Sequence, residues 1–296
     1  MKKKLALITW NGLPQGAESE RLMLPHLAKA GIATQIIDWR SSGFDFSQFD
    51  LVVLRSCWDY HLRGAEFTEW LRRTASEVPM LNDIETVLWN RNKFYLRELQ
   101  CQGIEIAPTI FATGSEAVGT MDRAQIESWR KIVVKPAVSA SAHKTWLMDR
   151  TALPPNSELE QQMGGPFLIQ QFIPEIQTDG EISFIYIDGR LSHAVLKRPR
   201  PGDFRVQQEH GGSTEAFLPS ATQIDRANQI AAMVPQVRDS LYCRIDAVAR
   251  DGKLLLMELE LIEPELFLGL AEGAAERFAK AIASRFHQGL DYSRKS

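Results

Sequence analysis

Three acidic residues stand inside apolar, strand-like sequence near the end of the chain. Asp246, Glu258 and Glu260 lie in CRIDAVARDGKLLLMELELIEPEL, which is typical of two strands joined by a tight turn at Asp251-Gly252. A carboxylate in a half-buried strand costs free energy unless a positive group compensates it. Magnesium suits this role because it prefers oxygen ligands. The segment therefore indicates either a metal site or a hairpin at a sheet edge with one face in water.

The parity of the residue numbers decides which of these side chains share a face. Residues two apart on a strand point the same way, so Glu258 and Glu260 do. Asp246 and Arg244 join that face only if the loop between the strands has an odd number of residues. A two-residue turn would place Asp246 opposite Met257 instead. The metal hypothesis therefore predicts a three-residue loop.

Two lysines in different settings could bind phosphate. Lys135 ends the apolar strand VVKP, where its ammonium group must reach water or an anion. The small side chains of the loop behind it would let main-chain amides approach phosphate oxygens, with Ser139, Ser141 and His143 as candidate contacts. A mobile hairpin tip is the alternative. Lys93 lies on a predicted helix and, by itself, would be interpreted as a surface lysine.

Residues at the end of a later strand could bind the base and sugar of a nucleotide. Gln170, Gln171, Phe172 and Ile173 pass from a strand into a loop, which leaves main-chain donors and acceptors free for an adenine edge. A plain strand end is the alternative. Glu181 could accept hydrogen bonds from ribose hydroxyls, or it could be a solvated strand residue.

Arginine residues are concentrated in the segment RPRPGDFR. Arg198, Arg200 and Arg205 lie there among prolines and a glycine. Guanidinium groups match carboxylate and phosphate oxygens with two parallel hydrogen bonds. The segment therefore indicates an anion-binding loop, with a solvated basic loop as the alternative.

Residues that end or follow two early strands are candidates for binding a second substrate. Trp10 comes directly after the strand ending at Thr9, and Arg55, Ser56 and Trp58 end or follow the strand DLVVLRSC. Positions just past the carboxyl ends of parallel strands line the crevice of an open α/β sheet. Packing of Trp10 and Trp58 between domains is the alternative.

The composition excludes several other classes of protein. The 296 residues carry a formal net charge of −3, so no basic field indicates nucleic acid or an anionic membrane surface as a partner. The three cysteines form no CxxC pair, and GxSxG, GxxxxGK[ST] and GxGxxG motifs are absent. The apolar run after the basic start MKKK is too short for a signal peptide. We therefore expect a cytoplasmic protein with small-molecule substrates.

The elements that must position these residues alternate between strands and helices. The first 82 residues predict the order β-α-β-β-α-β, which is typical of a small domain with an open parallel sheet. A long helix from about Ile84 to Gln100 is predicted next. A hairpin around Asp188-Gly189 and the acidic hairpin follow later in the chain.

Taken in order, these residues resemble the ATP-grasp superfamily. A lysine on a helix, a lysine closing a strand, a small-residue loop, the strand end QQFI and the acids of IDAV and MELE follow one another as they do there. The chain is most similar to the glutathione synthetase-like branch, which includes ribosomal-protein glutamate ligases and the cyclo-ligase of cycloserine biosynthesis. KPAVSASAHKTW, MELELIEPELFL and RSCWDY most resemble that cyclo-ligase.

The resemblance implies an α/β fold of the ATP-grasp kind. It divides the chain into a pre-ATP-grasp domain with an open parallel sheet (1–82), a small lid subdomain (83–173) and a C-terminal subdomain with the metal site (174–296). The resemblance implies that the phosphates of ATP are contacted by Lys93, Lys135, Ser139, Ser141 and His143, and that adenine or another part of the nucleotide is contacted by Gln170, Gln171, Phe172, Ile173 and Glu181. It implies that Mg²⁺ or Mn²⁺ is coordinated by Asp246, Glu258 and Glu260. It also implies that the acyl phosphate or the γ-phosphate is contacted by Arg205, Arg198 and Arg244.

The implied reaction is ligation of a carboxylate to an amine with ATP. The carboxylate takes the γ-phosphoryl group to form an acyl phosphate, and an amine then displaces phosphate to form an amide. The substrate would be an amino acid or small peptide, and many relatives are homo-oligomers. The covering loop has serine and alanine where many relatives have glycine, and Glu260 stands where asparagine is usual. A nucleotide-binding regulatory protein without turnover and a dehydrogenase built on the first domain are the alternatives.

Overall fold

The chain begins with a parallel sheet, as its alternation of elements predicts. The computed structural model describes residues 2–41, 43–113 and 120–287. Its first sheet has the order β2-β1-β3-β4, with every pair parallel. The elements are β1 (Lys3–Thr9), α1 (Glu18–Lys29), β2 (Ile32–Asp38), β3 (Leu51–Ser56), α2 (Gly64–Glu77) and β4 (Met80–Leu81).

Helices cover both faces of this sheet, which explains its unbroken apolar strands. β3 is buried along its whole length. On one face, Leu5 and Leu7 pack with Met23 of α1. On the other, Ala6 and Ile8 belong to a core with the aromatic side chains of α2. Parallel strands covered on both faces are expected to be apolar throughout.

The single long helix predicted from about Ile84 to Gln100 is wrong. The structure has two short helices, α3 (Ile84–Asn90) and α4 (Tyr95–Cys101), separated by a break that contains Lys93. The amide of Lys93 donates a hydrogen bond to the carbonyl of Ala137, 2.8 Å away, rather than to a helical carbonyl. The break removes Lys93 from the surface of a helix and buries it, which also rules out its interpretation as a surface lysine.

A four-stranded antiparallel sheet follows these helices. Its order is β5-β8-β6-β7, and an apolar core that includes Ile132, Leu159 and Phe167 lies against it. Its elements are β5 (Thr109–Ala112), α5 (Thr120–Ser128), β6 (Lys131–Pro136), β7 (Trp146–Asp149), α6 (Asn156–Met163) and β8 (Phe167–Gln171).

A five-stranded antiparallel sheet completes the fold. Its order is β11-β10-β9-β12-β13. Its elements, with the helices between and after its strands, are α7 (Glu175–Thr178), β9 (Glu181–Ile187), β10 (Arg190–Arg198), β11 (Ser213–Phe217), α8 (Ala221–Met233), α9 (Pro235–Asp239), β12 (Tyr242–Arg250), β13 (Lys253–Glu260) and α10 (Ala274–His287).

The acidic hairpin has a shorter loop than the sequence predicts, but its acids still share a face. Arg250 pairs with Lys253, so the turn has two residues and the predicted three-residue loop is wrong. The register shifts between Asp246 and the next residue, and a β-bulge leaves Met257 as the extra residue of β13. Asp246 therefore lies opposite Glu258. The β-bulge, and not an odd number of loop residues, puts Asp246 on the same face as Glu258 and Glu260.

Hydrogen bonds from buried side chains join the first domain to the large sheet. The hydroxyl of Tyr242 on β12 donates to the carbonyl of Leu54 on β3 or to that of Ile262, at 2.6 and 2.7 Å. The side-chain amide of Asn82 bonds to the carbonyls of Tyr242 and Leu261. The site-bearing hairpin is thus fixed to the parallel sheet. No helix in the described part of the chain is long and apolar enough to cross a membrane.

Candidate active site

A cavity of about 310 Å³ lies between the first domain, the four-stranded sheet and the five-stranded sheet. Each of these three parts contributes side chains to its wall. Most of the residues that the sequence singles out line it: Lys93, Lys135, Ser139, Ser141, Gln170, Gln171, Phe172, Ile173, Glu181, Arg205, Arg244, Asp246, Glu258, Glu260 and Trp58.

Both predicted phosphate lysines meet the same carboxylate. The Lys135 Nζ lies 2.8 Å from Oε1 of Glu258, and the Lys93 Nζ lies 3.9 Å from that oxygen. Lys93 also donates to the main-chain carbonyl of Ser139, at 2.7 Å. Burial by itself would raise the pKa of Glu258, but the two ammonium groups outweigh it and hold the pKa at about 2. Glu258 is therefore ionised at neutral pH.

Asp246 is bonded on both of its carboxylate oxygens. Arg244 donates to Oδ1 through Nε and to Oδ2 through Nη2, both at 2.9 Å. Ser183 donates to Oδ1 at 2.5 Å, and Lys197 donates to Oδ2 at 3.0 Å. Burial opposes ionisation, but Arg244 and Lys197 prevail and keep the pKa of Asp246 well below its usual range. Asp246 thus holds two cations in place beneath the cavity.

Glu260 and Glu181 complete this charged wall. Arg244 donates to Oε1 of Glu260, and Lys197 lies 2.5 Å from Oε1 of Glu181. Burial raises the pKa of Glu260 to about 7, since the nearby negative charges of Asp246 and Glu258 offset the attraction of Arg244. Cations and carboxylates therefore alternate along one wall of the cavity.

The acids of this wall have the chemistry of a magnesium site, but each is paired with a cation. Within residues 2–41, 43–113 and 120–287, no group of three or more His, Cys, Asp or Glu side chains is gathered closely enough to hold a metal ion. Glu258 and Glu260 share a face and retain 27% and 29% side-chain exposure. These two fit hard-cation ligands. Asp246 fits only if Arg244 or Lys197 gives up one of its oxygens.

The strand end expected to hold adenine has fewer free main-chain groups than predicted. The amide of Gln171 donates to the carbonyl of Pro108 at 2.9 Å, and that of Phe172 donates to the carbonyl of Lys131 at 3.1 Å. The rings of Phe172 and Phe204 lie edge to face with centroids 6.4 Å apart. This end of the cavity therefore offers an apolar wall against which a flat ring could pack.

Arg205 reaches the cavity, whereas Arg198 lies elsewhere. Arg205 binds Asp203 through Nε and Nη2, at 3.1 and 2.9 Å. This fixes its guanidinium group at the cavity wall and lowers the pKa of Asp203. Arg198, predicted to contact phosphate, pairs with Glu215 on the exposed edge strand β11. The alternation of side chains along β10 explains the difference, since the neighbouring Lys197 points inward.

Three residues predicted to bind the second substrate do not line the cavity. Arg55 is buried, pairs with Glu20 of α1 at 3.0 Å and donates to the carbonyl of Pro264 at 2.9 Å. Ser56 shares a hydrogen bond with Thr9 at 3.0 Å, and Trp10 packs against the core of the parallel sheet. The structure thus corrects these three assignments. Trp58 does line the cavity, and it also bridges to the large sheet.

His143 lies beside the first domain rather than on the cavity wall. Its ring centroid is 5.1 Å from that of His61, in the turn after β3. Burial, with His143 and Lys93 nearby, lowers the pKa of His61 to about 4. An uncharged His61 ring can therefore pack against His143 at neutral pH. The contact connects the small-residue loop to the first domain.

Several residues of the site were not predicted from the sequence. Lys197 is the clearest omission, because it closes the apolar strand text AVLK as Lys135 closes VVK, so the same signal would have found it. Ser183 carries no such signal. Other residues of the cavity wall that were not predicted include Asn90, Tyr95 and the acid Glu263.

Comparisons with known proteins agree with this arrangement. Residues 93–265 match the family model of the RimK-like ATP-grasp domain, and residues 5–82 match the model of the N-terminal domain of D-cycloserine synthetase DcsG. The cycloserine biosynthesis protein DcsG of Streptomyces lavendulae is 29% identical over 274 residues, which covers 86% of this chain and 89% of the relative. A glutathione synthetase of Prochlorococcus marinus is 29% identical over 166 residues, 54% of this chain and 49% of its own.

The fold matches a solved structure over almost the whole chain. The crystal structure of D-cycloserine synthetase DcsG superposes with a TM-score of 0.84 at 27% identity, covering 95% of this chain and 99% of that one. These matches confirm the ATP-grasp fold and the resemblance to the glutathione synthetase-like branch, and they favour a ligase over a dehydrogenase. The chain therefore belongs to the RimK-like ATP-grasp family and is an ATP-dependent carbon–nitrogen ligase.

Proposed function

We propose that this ligase joins the carboxylate of an amino acid or small peptide to an amine through an acyl phosphate, with magnesium and ATP bound in the cavity. The observation that carries the proposal is the wall on which cations and carboxylates alternate. Lys135 pairs there with Glu258, and Arg244 pairs with Glu260. The cations of this wall can bind phosphate oxygens, and its carboxylates can bind a metal ion.

Because each cation of the wall is paired with a carboxylate, both can change partners when ATP and magnesium bind, and neither charge is left uncompensated. Lys93, Lys135 and Arg244 would transfer from carboxylates to phosphate oxygens, and Glu258 and Glu260 would then be free for magnesium. Magnesium, when bound, supplies positive charge next to the transferring phosphoryl group. Asp246 would be the third magnesium ligand once Arg244 or Lys197 gives up its hydrogen bond to one of the Asp246 oxygens.

The chain's own residues would do the remaining work by position and charge. The carboxylate substrate attacks the γ-phosphorus of ATP, and ADP leaves with the electron pair of the broken P–O bond. Lys93, Lys135 and Arg244 would offset the negative charge that spreads over the phosphoryl oxygens. The neutral amine then attacks the acyl carbon, phosphate leaves with the electron pair of the broken C–O bond, and the proton lost by the nitrogen passes to phosphate or water. Arg205, held by Asp203, is placed to bind an anionic part of the substrate or of the acyl phosphate.

The relatives support an amino-acid-like substrate. DcsG is named for cycloserine biosynthesis, and this chain covers 89% of it. A ligase of that kind suits a substrate that carries both a carboxylate and an amine, in one molecule or in two. The proposed division of the chain at residues 82 and 173 places the cavity between all three parts.

The test is ADP release by the purified protein with ATP, magnesium and a panel of amino acids and dipeptides. We expect at least one panel member to stimulate ADP release, and chelation of magnesium to abolish it. Lys135→Met should remove the activity, whereas Lys253→Met, at an exposed pair with Glu105, should retain it. Tight ATP binding without stimulation by any panel member would contradict the proposal.

A further inference from the structure

Glu263 is a buried acid that the proposed reaction does not yet use. It follows β13, lines the cavity and is only 8% exposed. Its main chain is fixed to the first domain, because its carbonyl accepts from Nε1 of Trp58 at 2.9 Å and the next carbonyl, of Pro264, accepts from Arg55 at 2.9 Å. The main chain from which its side chain projects is therefore held by two hydrogen bonds.

The other acids of the cavity wall that are buried or half-buried have partners, and Glu263 does not. Glu181, Asp246, Glu258 and Glu260 are each paired with a lysine or an arginine. Among the residues that the structure describes, no other residue forms a hydrogen bond or ion pair with the carboxylate of Glu263, whose hydrogen bond is to its own main-chain amide. An unpaired buried carboxylate is costly. Such a group indicates a ligand that the free protein lacks.

The surroundings of Glu263 show what the ligand must bring. Burial, and next the charge of Glu260, raise the pKa of Glu263 to about 8, while Lys93 and Arg244 act more weakly in the opposite direction. A positive or hydrogen-donating group would relieve both effects. Trp58 and Tyr60 line the same side of the cavity and provide apolar area for a short aliphatic part. Lys93 and Arg244, which would bind a carboxylate or phosphate, lie near enough to act on its charge but do not pair with it.

We propose that Glu263 binds the amine nitrogen of the substrate, a primary amine on a short aliphatic chain such as the amino group of an amino acid. This inference rests on the proposed function and adds to it the subsite for the nucleophile. The amine would lie between Glu263, Trp58 and Tyr60, and the activated carboxylate would lie toward Lys135 and Arg244. A substrate carrying both groups would reach from Glu263 to these cations.

The test compares Glu263→Gln with the exposed control Glu272→Gln. The substitution keeps the shape of the side chain and removes its ability to ionise when a cationic amine binds. With the amino acid that best stimulates ADP release, we expect the KM for that amino acid to rise at least about tenfold, as expected for the loss of a charge-assisted hydrogen bond. The KM for ATP should change less than about twofold. Glu272→Gln should change neither constant.

Two further measurements keep the inference separate from the proposed function and from a structural role. Ethylammonium, at matched ionic strength, should raise the melting temperature of the wild type and of Glu272→Gln but not that of Glu263→Gln. This holds even if no panel member stimulates ADP release, in which case the proposed ligation fails and the amine subsite stands. Glu263→Gln should also melt at or above the wild-type temperature without ligand. An unchanged KM for the amino acid, an equal response to ethylammonium, or a strongly destabilised Glu263→Gln would each overturn the inference.

Discussion

Replacing Glu258 by glutamine should lower stability as well as activity, since two buried lysines depend on its charge. The lysine ammonium groups lie 2.8 and 3.9 Å from Oε1 of Glu258, and they hold its pKa at about 2 against an ordinary value of 4.5. A lowered pKa stabilises the folded protein above the unfolded value, and the contribution is lost as pH falls from 4.5 toward 2. At pH 7 it is fully present and amounts to about 3 kcal/mol.

The assay is thermal unfolding at pH 7 without metal or nucleotide. For a chain of this size a loss of about 3 kcal/mol lowers the melting temperature by roughly 5–10 °C. The matched control is Glu215→Gln, whose side chain is 63% exposed and pairs with Arg198; it should melt within about 1 °C of the wild type. ATP without magnesium should stabilise Glu258→Gln more than the wild type, because phosphate oxygens replace the lost carboxylate beside the two lysines.

Two results would refute this reasoning. One is a Glu258→Gln protein that melts within about 1 °C of the wild type, which would show that Lys93 and Lys135 do not depend on the carboxylate. The other is equal stabilisation of both proteins by ATP, which would show that phosphate does not take the place of Glu258.

Three further predictions concern the other buried charges. Arg55→Ala should lower the free energy of unfolding by about 3–5 kcal/mol, because it leaves Glu20 buried without its partner; near-normal urea stability would contradict this. Lys197→Met should cost a similar amount, since Asp246 loses one of its two cations, and unchanged urea unfolding would contradict it. The pKa of Glu263 is raised to about 8, so the folded protein keeps this group protonated where the unfolded chain does not, and the free energy of unfolding should fall by up to about 1.4 kcal/mol per pH unit from pH 4.5 to 8. Glu263→Gln should make the free energy of unfolding, measured in urea, depend less on pH. An identical pH dependence in the two proteins would contradict this prediction.

The charged wall of the cavity was predictable because its residues break a simple rule. Lys135, Asp246 and Glu258 are charges within apolar strand sequence, and such charges require a buried partner. The same rule applied to the strand ending at Lys197 would have completed the network. The pairing itself was not predictable from the sequence, since partners such as Lys135 and Glu258 come from strands more than a hundred residues apart.

The β-bulge at Met257 was not predictable from the parity of the numbering. A turn at Asp251-Gly252 is a clear local signal, and it forms with two residues as such pairs commonly do. A bulge needs no particular residue type, so the extra position in β13 leaves no trace in the sequence. The prediction that the acids share a face is therefore correct, but its cause is the β-bulge and not the length of the loop.

The misplaced substrate residues show the limit of a rule based on topology. Arg55 lies at the end of a parallel strand, where residues often line a crevice. In the structure its guanidinium carbon lies 4.8 Å from the ring of Tyr242 and 5.5 Å from that of Phe278, on elements near the other end of the chain. The last helix, α10, packs beside α1 on this face of the sheet. No local pattern around Arg55 could indicate that residues so far along the chain would cover it.

The central claim is that the carboxylate is activated by phosphorylation, and one measurement tests it directly. The enzyme would be supplied with ATP, magnesium and the stimulating amino acid or peptide labelled with oxygen-18 in its carboxylate, and the released phosphate analysed by mass spectrometry. We predict that ADP forms and that each phosphate carries one labelled oxygen, because the bridging oxygen of an acyl phosphate leaves with the phosphorus. Unlabelled phosphate, or AMP in place of ADP, would contradict the account.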